Sequence, residues 1–368
     1  MKILHIYKDY PPILGGIENH VRLLAEGQAG RGHAVTVLVT NPAGARSTLA
    51  EEGGVTVVRA GRLATVASTP LSLALPGRLL RERPDVVHLH YPYPVGETAQ
   101  WLLRRGRATV LTYHADIVRQ ANILRFYRPI LQRVLRHADA IIIGSPPMRA
   151  GAFLGPHADK LRLIPYGIPL ARFRPPPVAH TAADVTAART KRLLFVGRLR
   201  HYKGLDYLIR GLTRIDAHLL IAGIGPMEAE WRALAGQAGV AAKITWLGEV
   251  SDEALPALYR SADLFVLPAS NASEAFGLVQ VEAMAAGLPV VSTELGTGTS
   301  YVNVHGETGL VVASRDAQAL EKAIRILLRD ETLRRRLGEG ARRRAAGLSV
   351  ERMLAGIHAA YEEALAEE

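Results

Sequence analysis

The chain has 368 residues, 48% of them hydrophobic and 21% charged, and a formal net charge of +11. That length suits two domains of ordinary size, and the composition excludes disorder and fibrous repeats. No cysteine is present, which excludes disulfides, thiolate nucleophiles and cysteine-ligated metal centres and favours a cytoplasmic setting.

The N-terminal stretch MKILHIYKDYPP has too short an apolar run for a signal peptide before Lys8 and Asp9 restore charge. No run approaches the ~18 apolar residues of a spanning helix. A first strand over 2–7 leads through Asp9-Tyr10-Pro11-Pro12-Ile13-Leu14-Gly15-Gly16 to a helix from Ile17, with Val21, Leu24 and Ala25 on one face. Strands follow over 34–40, 55–59, 86–90, 109–113 and 140–144, with helical stretches between most of them. Such alternation predicts a parallel sheet covered on both faces. Residues 165–189 break the rhythm, and Arg174-Pro175-Pro176-Pro177 with the Ala- and Thr-rich stretch after it reads as a linker. The pattern then restarts with strands over 192–196, 219–222, 244–247, 264–267 and 289–292, and from Ala317 onward the chain reads as amphipathic helix. The expected organisation is a first domain over 1–168, a linker over 169–190, a second domain over 191–348 and a C-terminal helix over 349–368 packing back on the first domain. Open parallel sheets bind ligands at the carboxyl ends of their strands, so two such domains facing each other would enclose a cleft.

The basic excess is uneven. Residues 1–168 carry +10 and the remainder +1, which points to an anionic partner for the first half, either nucleic acid or a membrane surface, unless the arginines serve only solubility. Trp101-Leu102-Leu103-Arg104-Arg105-Gly106-Arg107 mixes an interfacial aromatic with cations. Arg119, Arg125, Arg128, Arg133 and Arg136 recur among apolar residues from Ile117 to Leu135 and just beyond. A basic amphipathic stretch of this kind can lie on an anionic membrane, and it can equally be a domain helix with a solvated face. The aromatic platforms or recognition helix of a nucleic-acid binder are missing, so no nucleic-acid partner is expected.

The strongest chemical signal is Glu274-Ala275-Phe276-Gly277-Leu278-Val279-Gln280-Val281-Glu282, after a strand and an irregular loop. A helix starting near Phe276 or Gly277 would offer its first amides to an anion, and Gly277 would let a phosphate come close. Glu274 and Glu282 could then hold sugar and ribose hydroxyls on either side. Arg198 and Lys203 lie in the loop after the first strand of the second half, where cations could neutralise a departing diphosphate. Gly15-Gly16 precedes the first helix, a weak signal alone. His114 ends the strand 109–113 and is expected to project at its carboxyl end. His88 and His90 alternate on one strand, but no third ligand is spaced for a metal, and none is expected there. No Asp-x-Asp triplet occurs, so cations and helix amides rather than a divalent ion are expected to carry phosphate charge.

Together these motifs resemble the retaining GT-B glycosyltransferases of glycosyltransferase family 4. The resemblance runs through Gly15-Gly16-Ile17-Glu18, Tyr113-His114-Ala115-Asp116, Pro165-Tyr166-Gly167-Ile168, Val196-Gly197-Arg198 with Lys203-Gly204, Gly223 to Pro226, Gly248-Glu249-Val250 and the full E-x7-E stretch with the residues 283–290 after it. It implies an α/β, GT-B architecture of two Rossmann-like domains facing across an interdomain cleft, and it implies roles. Arg198 and Lys203 would bind the donor diphosphate. Glu274 would hold the transferred sugar and Glu282 the ribose. Amides around Phe276, Gly277, Leu278 and Val279 would cradle phosphate. Val250 and Asp252 would meet the base, and Gly223 would line the donor site. His114 would sit beside the reacting carbon, and Gly16 would border donor phosphate or acceptor. No carboxylate nucleophile is apparent, so front-face attack with retention is implied, without metal or cofactor beyond the nucleotide-sugar substrate. Lys203→Ala is expected to lose turnover while the protein stays folded. The stretch Thr293 to Asn303 resembles envelope-polysaccharide transferases, which tilts the donor toward GDP-mannose with UDP-hexoses next, and the acceptor toward a lipid-linked or saccharide molecule. An NAD-dependent oxidoreductase would need G-x-G-x-x-G after the first strand. A nucleotide-sugar epimerase and a non-catalytic nucleotide-sugar-binding module remain the alternatives.

Overall fold

A computed structural model describes residues 1–13, 15–66, 69–116, 121–174 and 190–366. The chain forms two units: Met1–Tyr166 together with Val350–Glu368, and Gly167–Ser349.

The first unit is built in chain order from β1 (Lys2–Ile6), α1 (Gly16–Ala29), β2 (Ala34–Thr40), β3 (Thr48–Glu52), β4 (Val55–Ala60), β5 (Ala64–Val66), β6 (Thr69–Leu71), α2 (Ala74–Leu79), β7 (Val86–Tyr91), α3 (Pro94–Leu103), β8 (Ala108–Tyr113), α4 (Ala121–His137), β9 (Ala140–Ile143) and β10 (Leu161–Leu163). Its main sheet runs β10-β9-β8-β7-β1-β2-β4-β3. Every pairing is parallel except the edge pair β3–β4. Every residue of β7 and β8 is buried, as a sheet covered on both faces requires, and this is why those strands read as unbroken apolar runs interrupted only by histidine and threonine. One face packs Leu4, Ile6, Val37 and Leu89. The other packs Ile3, Val86, Val110 and Ile142 against Leu24 of α1 and against Met353, Leu354, Ile357 and Tyr361 of the chain's last helix, Val350–Ala366. Strand order reverses between β1 and β7, which marks the switch point of this sheet.

The second unit continues with β11 (Arg192–Val196), α5 (Leu205–Gly211), β12 (His218–Ala222), α6 (Glu228–Gln237), β13 (Ile244–Gly248), α7 (Leu255–Ser261), β14 (Leu264–Leu267), α8 (Leu278–Ala285), β15 (Val290–Glu294), α9 (Gly298–Val302), β16 (Gly309–Ala313), α10 (Ala317–Arg329) and α11 (Glu331–Ala346). The last helix is α12. The six-stranded sheet runs β13-β12-β11-β14-β15-β16, parallel throughout. Its order reverses between β11 and β14. The Asp316 side chain accepts from the amides of Gln318 and Ala319, both at 2.9 Å, and so caps α10.

Five strands lie outside those read from the sequence: β3, β5, β6, β10 and β16. Four are short or polar edge pieces whose residues face water on one side or both, and Gly309–Ala313 is an edge strand with only its first residue fully buried. Residues 167–174 pack on the second unit. Phe173 is buried, with its ring 5.7 Å from that of Tyr259, and the Ile168 amide donates to the Leu348 carbonyl at 3.1 Å. Residues 175–189 of the expected linker lie outside the described residues. Among the described residues no helix is long and apolar enough to cross a membrane.

Candidate active site

In the second unit, the loops that leave β11, β12, β13 and β14 at their carboxyl ends are joined backbone to backbone. The Gly197 amide donates to the Ala222 carbonyl at 2.9 Å, Gly223 to Gly248 at 2.7 Å, and Ser270 to Tyr202 at 2.8 Å. The approach is close enough to demand glycine. Gly223 has φ 135°, and a Cβ there would lie 2.0 Å from the Gly197 carbonyl oxygen. The stitching leaves little freedom to the loop that carries Arg198 and Lys203.

Lys203 and Glu274 meet across the switch point, one from the loop after β11 and the other from the loop after β14. Nζ stands 2.6 Å from Oε2, and both side chains are nearly out of water. Burial works to lower the lysine pKa, but the Glu274 charge, with help from Tyr202 and Glu282, outweighs it and leaves the ammonium stabilised above its ordinary value. This corrects one expectation drawn from the sequence. Lys203 is not a lone loop cation, because its removal strands a buried carboxylate, so Lys203→Ala cannot be relied on to leave the fold untouched. Arg198 is exposed on the same loop.

Gly277 precedes α8 with φ 75°, and no side chain caps the helix. A Cβ at Gly277 would lie 2.6 Å from Gln280 Nε2 and 3.0 Å from Leu267 Cδ2. The left-handed turn brings the backbone of Phe276, Gly277, Leu278 and Val279 to a helix start, the kind of place where amides accept an anion. Its neighbour Glu274 is tied on the outer side, where Thr297 Oγ1 donates to the Glu274 carbonyl at 2.8 Å. One turn into α8, Glu282 accepts from the Tyr259 hydroxyl at 2.7 Å. Burial raises its pKa to about 7 against the opposing effects of Tyr259 and Arg172, with Asp252 reinforcing the rise. Asp252 is exposed and Val250 partly buried on the loop after β13. Arg172 donates to the Asp252 carbonyl at 2.5 Å, linking that loop to the start of the unit. Tyr259 and Arg172 are not legible in the sequence, because neither lies within a motif and only the tertiary fold brings them to Glu282.

In the first unit, α1 starts at Gly16, where a Cβ would meet nothing within 4 Å. The carboxylate of Glu18, in the first turn, lies against Gly15, where a Cβ would come 2.0 Å from Oε2. His114 is 4% exposed. Its ring does not project freely, as the sequence suggested: Nε2 stands 3.1 Å from His90 Nδ1, and Nδ1 stands 2.9 Å from the Tyr166 hydroxyl. His88 and His90 also have the imidazole neighbours that sequence spacing did not supply. His5 joins them from β1, and His20 from α1 joins His90 and His114, the nitrogens of each group of three lying within 4.8 Å of one another. Those neighbours come from strand register, His5 opposite His88, which spacing along one strand does not reveal.

Comparison with known proteins identifies the family. The family model described as Glycosyltransferase Family 4 matches residues 14–172, and that described as Glycosyl transferases group 1 matches residues 182–344. D-rhamnosyltransferase WbpZ of Pseudomonas aeruginosa is 35% identical over 94% of this chain and 91% of its own. O-antigen chain mannosyltransferase C of Escherichia coli is 34% identical over 94% and 93%. Among solved structures, a sucrose-phosphate synthase from Thermosynechococcus elongatus superposes with a TM-score of 0.81 at 25% identity, each chain fully covered. The chain belongs to glycosyltransferase family 4. It is a glycosyltransferase of GT-B fold, built from two Rossmann-like units.

Because Lys203 and Glu274 are buried together, Lys203→Met and Glu274→Gln each lower stability by about 3–5 kcal/mol, and the double variant loses clearly less than the sum. Urea unfolding followed by tryptophan fluorescence reads this, since Trp231 and Trp246 both lie in the second unit. Strict additivity would show that the two groups are not coupled.

Proposed function

We propose that the protein transfers a hexose of manno configuration from a nucleoside diphosphate sugar, GDP-mannose before UDP-hexoses, to a lipid-linked or saccharide acceptor in envelope polysaccharide or glycolipid synthesis. Transfer proceeds with retention at the anomeric carbon and without metal or further cofactor. The observation that carries the reading is the Lys203–Glu274 pair held across the switch point beside the uncapped helix start at Gly277. The manno preference is supported by two relatives named for mannose and for D-rhamnose, which is 6-deoxymannose.

In this reading the diphosphate lies against the amides of Phe276 to Val279, with Arg198 and Lys203 as its counter-charges, so that charge on the leaving group is met by groups already in place. Glu274, already neutralised by Lys203 at 2.6 Å, orients sugar hydroxyls and is a poor nucleophile. That supports front-face attack, with the leaving phosphate taking the acceptor proton. Glu282 holds the ribose, Val250 and Asp252 lie beside the base, and Gly223 lines the donor site.

The first unit supplies acceptor contacts. Its basic helix α4 exposes Arg125, Arg128, Arg133 and Arg136. Beside it Arg133 stacks on Trp101 at 5.7 Å, Leu102 is 64% exposed, and Trp101, Arg104, Arg133, Arg136 and His137 line a cavity of 360 Å³. Arg119 lies outside the described residues. Cations flanking an exposed leucine and a half-buried tryptophan suit the face of an anionic membrane.

Arg198→Ala reduces turnover of GDP-mannose about 100-fold while the protein stays folded. Turnover of the wild type persists in excess chelator, and the product's one-bond carbon–proton coupling at the anomeric centre shows the same anomeric configuration as the donor. An inverted product, or full activity in Arg198→Ala, argues against the assignment. Glu282 gives a pH test. Its pKa is raised toward about 7, so burial stabilises the neutral form at low pH, and that contribution fades as pH rises toward 7. Ribose hydroxyls donating to the ionised form reverse the sign for binding. GDP affinity rises by up to about ten-fold between pH 6 and pH 8, the ratio of ionised fractions, and is flat in Glu282→Gln. A wild type as flat as the variant removes Glu282 from the nucleotide site. Cosedimentation with phosphatidylglycerol vesicles falls steeply with salt, and reversing the charge of Arg133 and Arg136 to Glu abolishes it. No binding at low salt rejects the membrane face.

A further inference from the structure

Three buried imidazoles of the first unit, His5, His90 and His114, form a directed hydrogen-bond chain. His5 Nε2 lies 2.7 Å from Gln28 Oε1, His5 Nδ1 lies 3.0 Å from His90 Nε2, His90 Nδ1 lies 3.1 Å from His114 Nε2, and His114 Nδ1 lies 2.9 Å from the Tyr166 hydroxyl. All four of these histidine and glutamine side chains are buried. A neutral imidazole has one N–H and one bare nitrogen. An amide oxygen can only accept, so His5 must donate to Gln28 from Nε2, which leaves His5 Nδ1 as acceptor. His90 then donates to it from Nε2, His114 donates to His90 from Nε2, and Tyr166 donates to His114 Nδ1. The same amide sets a second branch. Gln28 Nε2 donates to the Tyr361 hydroxyl at 3.2 Å, so Tyr361 turns its proton to His88 Nδ1 at 2.5 Å, and His88 donates from Nε2 to Thr112 Oγ1 at 2.7 Å. Every nitrogen of the four rings is used once. Turning over the Gln28 amide would reverse every bond.

We propose that Gln28 is a positioning residue that fixes His114 as the neutral Nε2–H tautomer, acting through His5 and His90. A protonated ring carries two N–H groups and needs two acceptors. A proton added to His5 or His90 sets N–H against N–H, and one added to His88 or His114 makes the facing tyrosine hydroxyl turn its own proton away from the ring. Burial acts in the same direction, lowering His5 to about 4 and holding His88, His90 and His114 well below their ordinary values. On the transferase reading, this keeps positive charge away from an electron-poor sugar carbon beside His114. A metal ion among these rings is disfavoured by the same accounting, since it would have to break the His5–His90 or the His90–His114 bond, although the neighbouring His20 has a buried Nε2 without a hydrogen-bond partner.

Histidine-selective ¹⁵N labelling and long-range ¹H–¹⁵N correlation read the tautomers directly in the intact chain, with signals assigned by single His→Gln variants. In the wild type, His5, His88, His90 and His114 all carry their proton on Nε2. In Gln28→Met, which removes both amide bonds at similar volume, His114 shows the Nδ1–H form as well, and kcat falls about ten-fold while KM for the nucleotide sugar changes less than two-fold. A wild-type His114 protonated on Nδ1 or on both nitrogens overturns the proposal, whether or not the variant folds. So does a pure Nε2–H His114 in Gln28→Met, or stoichiometric Zn²⁺ uptake that abolishes these signals. A tautomer shift with unchanged kcat overturns the catalytic part alone. The expected tautomers in a wild type that turns over no nucleotide sugar leave the chain standing and reject the transferase reading instead.

Discussion

A charged amine taken out of water has to be neutralised where it lies, and Lys203 meets that condition only because Glu274 reaches it. Much of the second unit serves this meeting. The two residues follow strands that are neighbours in the sheet but distant in sequence, and the reversal of strand order between β11 and β14 opens the gap they span. Glycines let the surrounding loops lie backbone against backbone, so the lysine arrives from a fixed direction. The helix start at Gly277 stands next to the pair, bringing uncapped amides and a bound ammonium into one neighbourhood.

The first unit solves a related problem without net charge. Its sheet also reverses order, between β1 and β7, and there too polar side chains of adjacent strands meet, His5 with His90. Here the groups are neutral rings that satisfy each other in series. Buried polar atoms are tolerable only when each finds a partner, and one glutamine at the end of the series decides how the partners are shared.

The sequence carried much of this in its pattern. Apolar runs such as those of β1, β7, β8 and β11 announce strands buried on both faces, and the glutamates at 274 and 282 around Gly277 announce a helix start with carboxylates on either side. Edge strands escaped because Thr48–Glu52 and Ala64–Val66 are polar or exposed and lack the alternation that a half-buried strand shows. Partnerships across the fold escaped for a different reason. Nothing near position 274 says that its carboxylate faces Lys203 rather than open solvent, and nothing near position 114 says that both nitrogens of its ring are already engaged. Tyr259, Arg172 and Gln28 sit in ordinary helical or turn contexts, and their importance comes from strand register and helix placement alone.

The last helix has a consequence for the order in which the molecule is assembled. Tyr361 lies 333 positions beyond the glutamine that donates to it, and Met353, Leu354 and Ile357 complete an apolar face begun by Ile3 and Val86. During synthesis from the N-terminus, the opening sheet must therefore wait with one face bare and its histidine branch unterminated until the whole of Gly167–Ser349 has been made. This sheet is made before Gly167–Ser349 and completed after it, and until then its uncovered apolar face is open to wrong contacts.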